Sequence, residues 1–244
     1  DINKINYLKE LNINFNKIKR LTLKIENNNK NKDKKALKKF FETLYSINNI
    51  ENNLIYLDIN LKYYEINDEL FENINNFKSL KYLYIKNANF DQNFIIKLNE
   101  LKLLSILSCN NIKLFGICND KLRDLNLSSN EMSDINILQN ANFKNLNKLN
   151  LSSNEISDIN ILEKVNFENL NSLNMSWNNI SDINILEKVN FKDLNEINLS
   201  DNEIKDINIL GIVNFKNLNK LNLSWNNISD IKILENVDFK GLKI

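Results

Sequence analysis

Histidine is absent from all 244 residues of the chain, which removes imidazole acid–base chemistry and imidazole metal ligation from consideration. Proline is absent as well, and glycine is confined to Gly116, Gly211 and Gly241. No glycine-rich phosphate loop can be drawn from those three positions. Cysteine occurs twice, at Cys109 and Cys118. With no histidine to activate either thiol, and two cysteines being ordinary intracellular usage, both read as structural. No apolar run approaches the length of a membrane span, and "DINKINYLKE" is not a secretory signal. Thirty-two basic side chains nearly cancel thirty-one acidic ones, for a formal charge of +1. That balance lacks the footprint of a nucleic-acid binder or a polybasic membrane binder.

What the chain has in abundance is Asn, Ile and Lys. These are residues of A/T-rich codons, and their excess reads as genome bias in a low-GC microbe or protist. Asn-rich composition can also accompany low-complexity disorder, but the apolar residues here are regularly spaced, as a packed chain requires.

The spacing is a repeat. "LNMSWNNISDINILEKVNF", "INLSDNEIKDINILGIVNF" and "LNLSWNNISDIKILENVDF" follow one another at 24-residue steps, and one Asn recurs at 130, 154, 178, 202 and 226. Around it stands Leu146-x-x-Leu149-x-Leu151-x-x-Asn154-x-Ile156. In a short strand, residues two apart share a face, so Leu149 and Leu151 point inward and Asn150 outward. Beyond the strand the backbone turns, and its polar groups leave the sheet. An inward Asn carries both an acceptor and a donor and can satisfy them in its own and neighbouring turns. Stacked copies form a ladder with a rise of about 4.8 Å. One coil cannot bury its own apolar face, whereas a stack can.

The template L-x-x-L-x-L-x-x-N/C-x-L resembles the leucine-rich repeat family over essentially the whole chain. The phrase "NxISDIxxL" is similar to the SDS22-like class, which includes a phosphatase regulatory subunit and internalin-type adhesins of bacteria. The resemblance implies an α/β solenoid, a right-handed arc with a parallel sheet on the concave face and helices on the convex face. The expected domain is single, spanning 1–244, with irregular repeats over 1–120 and regular ones over 121–244.

Upstream the strand residue falls at Leu23, Ile59, Ile85, Ile106 and Leu127, and the ladder position holds Glu26, Lys62, Ala88 and Cys109. Cys109 is a usual family substitute for Asn. The other three depart from the pattern, which puts their turns in doubt but leaves their strands intact. The longer intervals predict convex helices. One uses Leu37, Phe40, Phe41, Leu44 and Ile47, with Asp33 as its cap, and another uses Leu70, Phe71, Ile74 and Phe77. "SDINILEKVNF" predicts a shorter helix in each regular repeat. Nine strands are expected, with Leu242 opening a tenth. "DIN" and "FKGLKI" both read as mid-repeat, so a longer parent chain is expected.

Asp134, Asp158, Asp182, Asp206 and Asp230 make a second register at the same step. A carboxylate column could hold calcium. The reading adopted is that each Asp caps a convex helix, so neither metal nor cofactor is expected. Five Asn-x-Ser tripeptides, at Asn126, Asn150, Asn174, Asn198 and Asn222, fall on the concave face. Glycosylation would load that face, which favours a cytoplasmic or intracellular protein over a secreted one. A microbial surface stays open as the other address.

The position before the ladder Asn reads Ser129, Ser153, Trp177, Asp201, Trp225. Two indoles about 10 Å apart with a carboxylate between them either anchor a partner or pack over the rim; strand parity turns them partly inward. A second aromatic group, Tyr56, Tyr82 and Tyr84, is placed with Arg123 and Asp124. The partner-binding candidates are therefore Trp177, Asp201, Trp225, Tyr84 and Arg123. The structural ladder is Cys109, Asn130, Asn154, Asn178, Asn202 and Asn226, and no residue reads as catalytic. The expected function is noncatalytic protein recognition on the concave face, as an interaction module or regulatory scaffold, by a monomer that binds a protein and not nucleic acid. The alternatives are an internalin-like surface adhesin and the recognition domain of a larger enzyme.

Overall fold

The computed structural model describes residues 18–26, 41–44, 50–66, 68–90, 99–110, 112, 119–140 and 143–237. The chain divides into two compact units, Asp1–Lys121 and Leu122–Ile244. The predicted cap Asp33, the second cysteine Cys118 and the tenth-strand residue Leu242 lie outside the described residues.

The first unit carries strands β1 (Arg20–Glu26), β2 (Tyr56–Ile66), β3 (Tyr82–Phe90) and β4 (Leu103–Leu107). They pair in parallel and in chain order. Leu23 stands opposite Ile59, Ile59 opposite Ile85, and Ile85 opposite Ile106, the register expected from sequence. Leu57, Ile59, Leu83, Ile85, Leu104 and Ile106 are fully buried; of the residues between them on the opposite face, Asp58 and Tyr84 are half-buried and Ser105 is buried. Helices α1 (Ile50–Asn53) and α2 (Asp68–Asn75) link the strands, and 41–44 is helical within the predicted first helix. Phe41, Leu44, Ile74 and Phe77 sink into the core, as their spacing required.

Strand length follows the ladder residue. Where that position holds Glu26, Lys62 or Ala88, the strands run 7, 11 and 9 residues, reaching Glu26 in the first and passing through Lys62 and Ala88 in the others. No side-chain amide is available there to satisfy a turn, so the backbone keeps its partners by continuing the sheet. The continuation is imperfect: register slips between Asn60 and Tyr64, and Asn87 takes φ 55°.

The second unit carries β5 (Asp124–Asn126), β6 (Lys148–Asn150), β7 (Ser172–Asn174), β8 (Glu196–Asn198) and β9 (Lys220–Asn222), again parallel and in order. Each has three residues because the ladder Asn ends it. Phe143, Phe167 and Phe191 stack behind the sheet with centroids 6.3 Å apart at each step.

The convex segments of these repeats are the short helices expected there, and their type is specific. They are not α-helices but single 3-10 turns, such as Asn160–Glu163 and Asn184–Glu187, closed by bonds like Leu162 N–H to the Ile159 carbonyl at 3.0 Å. A 3-10 turn advances about 2.0 Å per residue against about 1.5 Å in an α-helix. It spans the return with fewer residues, and a 24-residue coil has few to spare. Ile161, Leu162, Val165 and Phe167 still reach the core.

Candidate functional site

The ladder is built as its chemistry demands. Asn154 Oδ1 accepts the backbone N–H groups of Asn130 and Met132, each at 3.0 Å. Its Nδ2 donates to the carbonyls of Leu127, Leu151 and Ser152. Asn178, Asn202 and Asn226 repeat the arrangement one, two and three coils on. Asn130, Asn154, Asn178 and Asn202 are buried. At Cys109 the thiol takes over: Ala88 N–H reaches Sγ at 3.3 Å, and Sγ–H faces the Leu107 carbonyl at 3.2 Å. Burial pushes that thiol from the usual 9.0 up to about 11, against the pull of those backbone bonds.

The Asp column is engaged with the backbone. Oδ1 of Asp134, Asp158, Asp182, Asp206 and Asp230 each accepts the N–H of the residue two ahead, at 2.7–2.9 Å. Each Asp stands two residues before its 3-10 turn and closes an Asx turn there. The cap position itself is Ile159, Ile183, Ile207 or Ile231 in the last four repeats, without a side-chain cap bond, so the expected helix cap is corrected to a turn just outside it.

The residues before the ladder Asn behave differently from strand parity. Ser129, Ser153, Trp177, Asp201 and Trp225 all adopt φ of 55–58°. This left-handed step lets Trp177 N–H donate to the Ser200 carbonyl while its own carbonyl accepts Asn154 N–H. It also swings the side chain off the strand's alternation and out of the coil. Trp177 is 64% exposed and Trp225 81%, with Asp201 half-buried between them. The partial inward tilt predicted for this column is corrected: parity does not extend past the residue where the strand has already ended.

Tyr84 belongs to the first compact unit and Arg123 to the second, and each has its own surroundings. Tyr84 packs with Tyr56 at 5.1 Å between ring centroids, and Tyr56 with Tyr82 at 6.5 Å. Arg20 lies over the Tyr56 ring at 4.0 Å, and Lys86 pairs with Asp58 at 3.1 Å. Arg123 donates to the Asn145 carbonyl at 3.1 Å and borders an open groove of about 730 Å³ with Asp124, Asn147, Lys148, Asn171 and Asn195. Burial raises the Asp124 carboxyl, and Lys148 opposes that shift.

This groove contains a second amide column that was overlooked in the sequence. Asn171 Nδ2 donates to the Asp193 carbonyl and Asn195 Nδ2 to that of Asn217, each one coil ahead. Its signal was available, since Asn147, Asn171, Asn195 and Asn219 keep the same 24-residue step. On the open face of β7–β9, Lys220 pairs with Glu196. Each Asn of the Asn-x-Ser tripeptides accepts the N–H of its own Ser at 3.0–3.1 Å.

The sequence pattern of the leucine-rich repeat family matches residues 118–135, 144–159, 168–183 and 216–231. No curated protein sequence matches the chain. Among solved structures, an internalin of Listeria monocytogenes, InlF, is 21% identical, with 99% of this chain and 79% of that one covered and a TM-score of 0.55. InlP of the same bacterium is 20% identical, covering 87% and 57% respectively, at a TM-score of 0.64. A chain of the Drosophila Toll–Spatzle complex is 18% identical, covering 87% of this chain and 27% of its own, at 0.61. At these identities the likeness is one of fold. Among the described residues no helix is long and apolar enough to cross a membrane.

Proposed function

We propose that this chain, which carries the leucine-rich repeat fold, is a noncatalytic module for protein–protein interaction whose partner is anchored by Trp177 and Trp225 around Asp201. The observation that carries this reading is the exposure of both indoles, 64% and 81%, in a column where Ser129 and Ser153 show that a small polar residue suffices. The turn needs nothing from an indole. Leaving so much aromatic surface in water is unfavourable unless something covers it, and Trp is among the residues most enriched at binding hot spots. Asp201 between them suits a basic side chain of the partner held against an aromatic face.

The module acts as a regulatory scaffold, with the open sheet face beside the rim as the rest of the contact surface. An intracellular address is supported by the five Asn-x-Ser tripeptides on that face, which passage through a glycosylating secretory pathway would load with glycans. The test is to capture the partner from an extract of the source cells and to measure its affinity for Trp177→Ser, Trp225→Ser and Asp201→Ser. A loss of about 2–4 kcal/mol for each Trp variant, with a smaller and less salt-dependent loss for Asp201→Ser, is the expected result. Normal affinity with an early melt would assign the indoles to packing.

A further inference from the structure

The formal charge of +1 conceals a segregation. Residues 1–121 hold twenty Lys and Arg against fourteen Asp and Glu, a net +6, whereas residues 122–244 hold twelve against seventeen, a net −5. In the first unit part of that excess is organised. The residues immediately preceding the strand starts are Lys19, Ile55, Lys81 and Lys102, and they occupy one row. Tyr56 N–H donates to the Lys19 carbonyl, Tyr82 N–H to that of Ile55, and Leu103 N–H to that of Lys81. Neighbours in such a row stand about 4.8 Å apart. Glu100 is the acid set among them, and its carboxyl is held low first by the hydrogen bond from Lys121; desolvation opposes this, and the charges of Lys121, Lys81 and Lys102 add to the lowering. One carboxylate does not neutralise three lysines.

The next row on the open face is Arg20, Tyr56, Tyr82 and Leu103, paired in register. Arg20 is exposed, and its guanidinium lies flat over the Tyr56 ring at 4.0 Å. Among the described residues it is met by that ring and by no carboxylate. A guanidinium stacked in this way has lost little freedom it would need to lose on binding, and its N–H edge is positioned to fork a carboxylate. Tyr82 is the exposed aromatic beside it, at 37%. Lys86 is spent on Asp58.

We propose that the open face of β1–β3 docks an acidic polypeptide segment, with its carboxylates taken by Arg20 and by the Lys19, Lys81 and Lys102 row, and its apolar side chains laid on Tyr56 and Tyr82. The proposal rests on the chain being a protein-binding module, but it concerns a different surface from the Trp rim. A polypeptide fits better than a nucleic acid for two reasons. The Tyr56 and Tyr82 rings are tilted 38° to one another, and one face of Tyr56 is already covered by Arg20, so successive bases would find no pair of open parallel platforms. Tyr84, the third ring on this face, closes on Tyr56 at 5.1 Å with the same 38° tilt and adds no parallel platform.

The probe is a fluorescein-labelled copolymer of glutamate and tyrosine, titrated with the full chain and followed by anisotropy, with labelled oligo(dT) as comparison. The expected result is binding that weakens with salt, falls about tenfold in Arg20→Ala, falls further in the double variant Lys81→Glu with Lys102→Glu, and is unchanged in Trp177→Ser. Thermal midpoints check that the variants fold; should the double variant fail to, the exposed Arg20→Ala decides alone. Absence of binding, equal binding by Arg20→Ala, or tighter binding of oligo(dT) would each overturn the proposal. None of these touches the Trp rim, whose own variants are read against the native partner.

Discussion

Asn178 reaches back one coil to the carbonyl of Leu151, with Nδ2 at 3.1 Å, while its Oδ1 accepts Ile156 N–H at 3.0 Å. Alongside backbone bonds such as Asn154 N–H to the Trp177 carbonyl and Asn179 N–H to that of Ile156, one amide thereby ties two neighbouring turns together. Asn178→Ala leaves those buried groups unmet and is expected to cost about 1–3 kcal/mol. Asn179 is exposed, and Asn179→Ala should stay within about 0.5 kcal/mol. Urea denaturation of the two variants makes the comparison, and coincident midpoints would contradict the ladder's role.

The left-handed φ of 57° at Trp177 sets a rule for substitution that exposure alone would not. Trp177→Ser should leave stability within about 0.5 kcal/mol, because Ser occupies the same conformation at Ser153, φ 55°. Trp177→Val places a β-branched residue there and should destabilise by about 1–2 kcal/mol. Equal melting of the Ser and Val variants would argue that the local backbone is not held as described.

Asp182 Oδ1 accepts Asn184 N–H at 2.8 Å and so acts on the turn. Asp182→Ala is expected to cost about 0.5–2 kcal/mol. Calcium and EDTA should both leave the thermal midpoint unmoved, since a ligand stabilises whatever state binds it. A saturable rise with calcium would make the column a metal site.

Cys109 links pH to stability. Its thiol is raised from the usual 9.0 to about 11 by burial. An acid whose folded value lies above its unfolded value favours folding below that window and disfavours it above, because the unfolded chain gives up the proton first. Stability should therefore fall as pH rises from about 9 to about 11, and the fall should vanish in Cys109→Ala. In a Cys118→Ser background the native chain should resist alkylation at neutral pH and react only on unfolding. Fast labelling of the native chain is the opposing result.

The repeat made much of this legible in advance. Leu23, Ile59, Ile85 and Ile106 stand opposite one another because a two-residue alternation leaves only one register that buries them. The ladder was legible because a buried turn has few partners other than an amide. The failures have physical causes as well. Parity was applied to Trp177 and Trp225 beyond the point where the chain had left the strand, and sequence does not announce a left-handed step made by Ser, Asp or Trp. The "INIL" phrase has apolar spacing that α and 3-10 turns share over four residues, so only the distance to be spanned decides between them. The charge segregation was hidden by summing over the whole chain.

The central claim is that the Trp177–Asp201–Trp225 rim is a partner's anchor, and Trp177 and Trp225 are the chain's only two tryptophans. Fluorotryptophan incorporated into this chain alone gives two fluorine NMR signals that no residue of the partner can obscure. Free, both should show the solvent shift of exposed indoles and equal access to a paramagnetic quencher. On adding the captured partner, both should move and lose that access together, and Asp201→Ser should weaken the titration. Signals already shielded in the free chain, or unchanged at saturation with partner, would contradict the account.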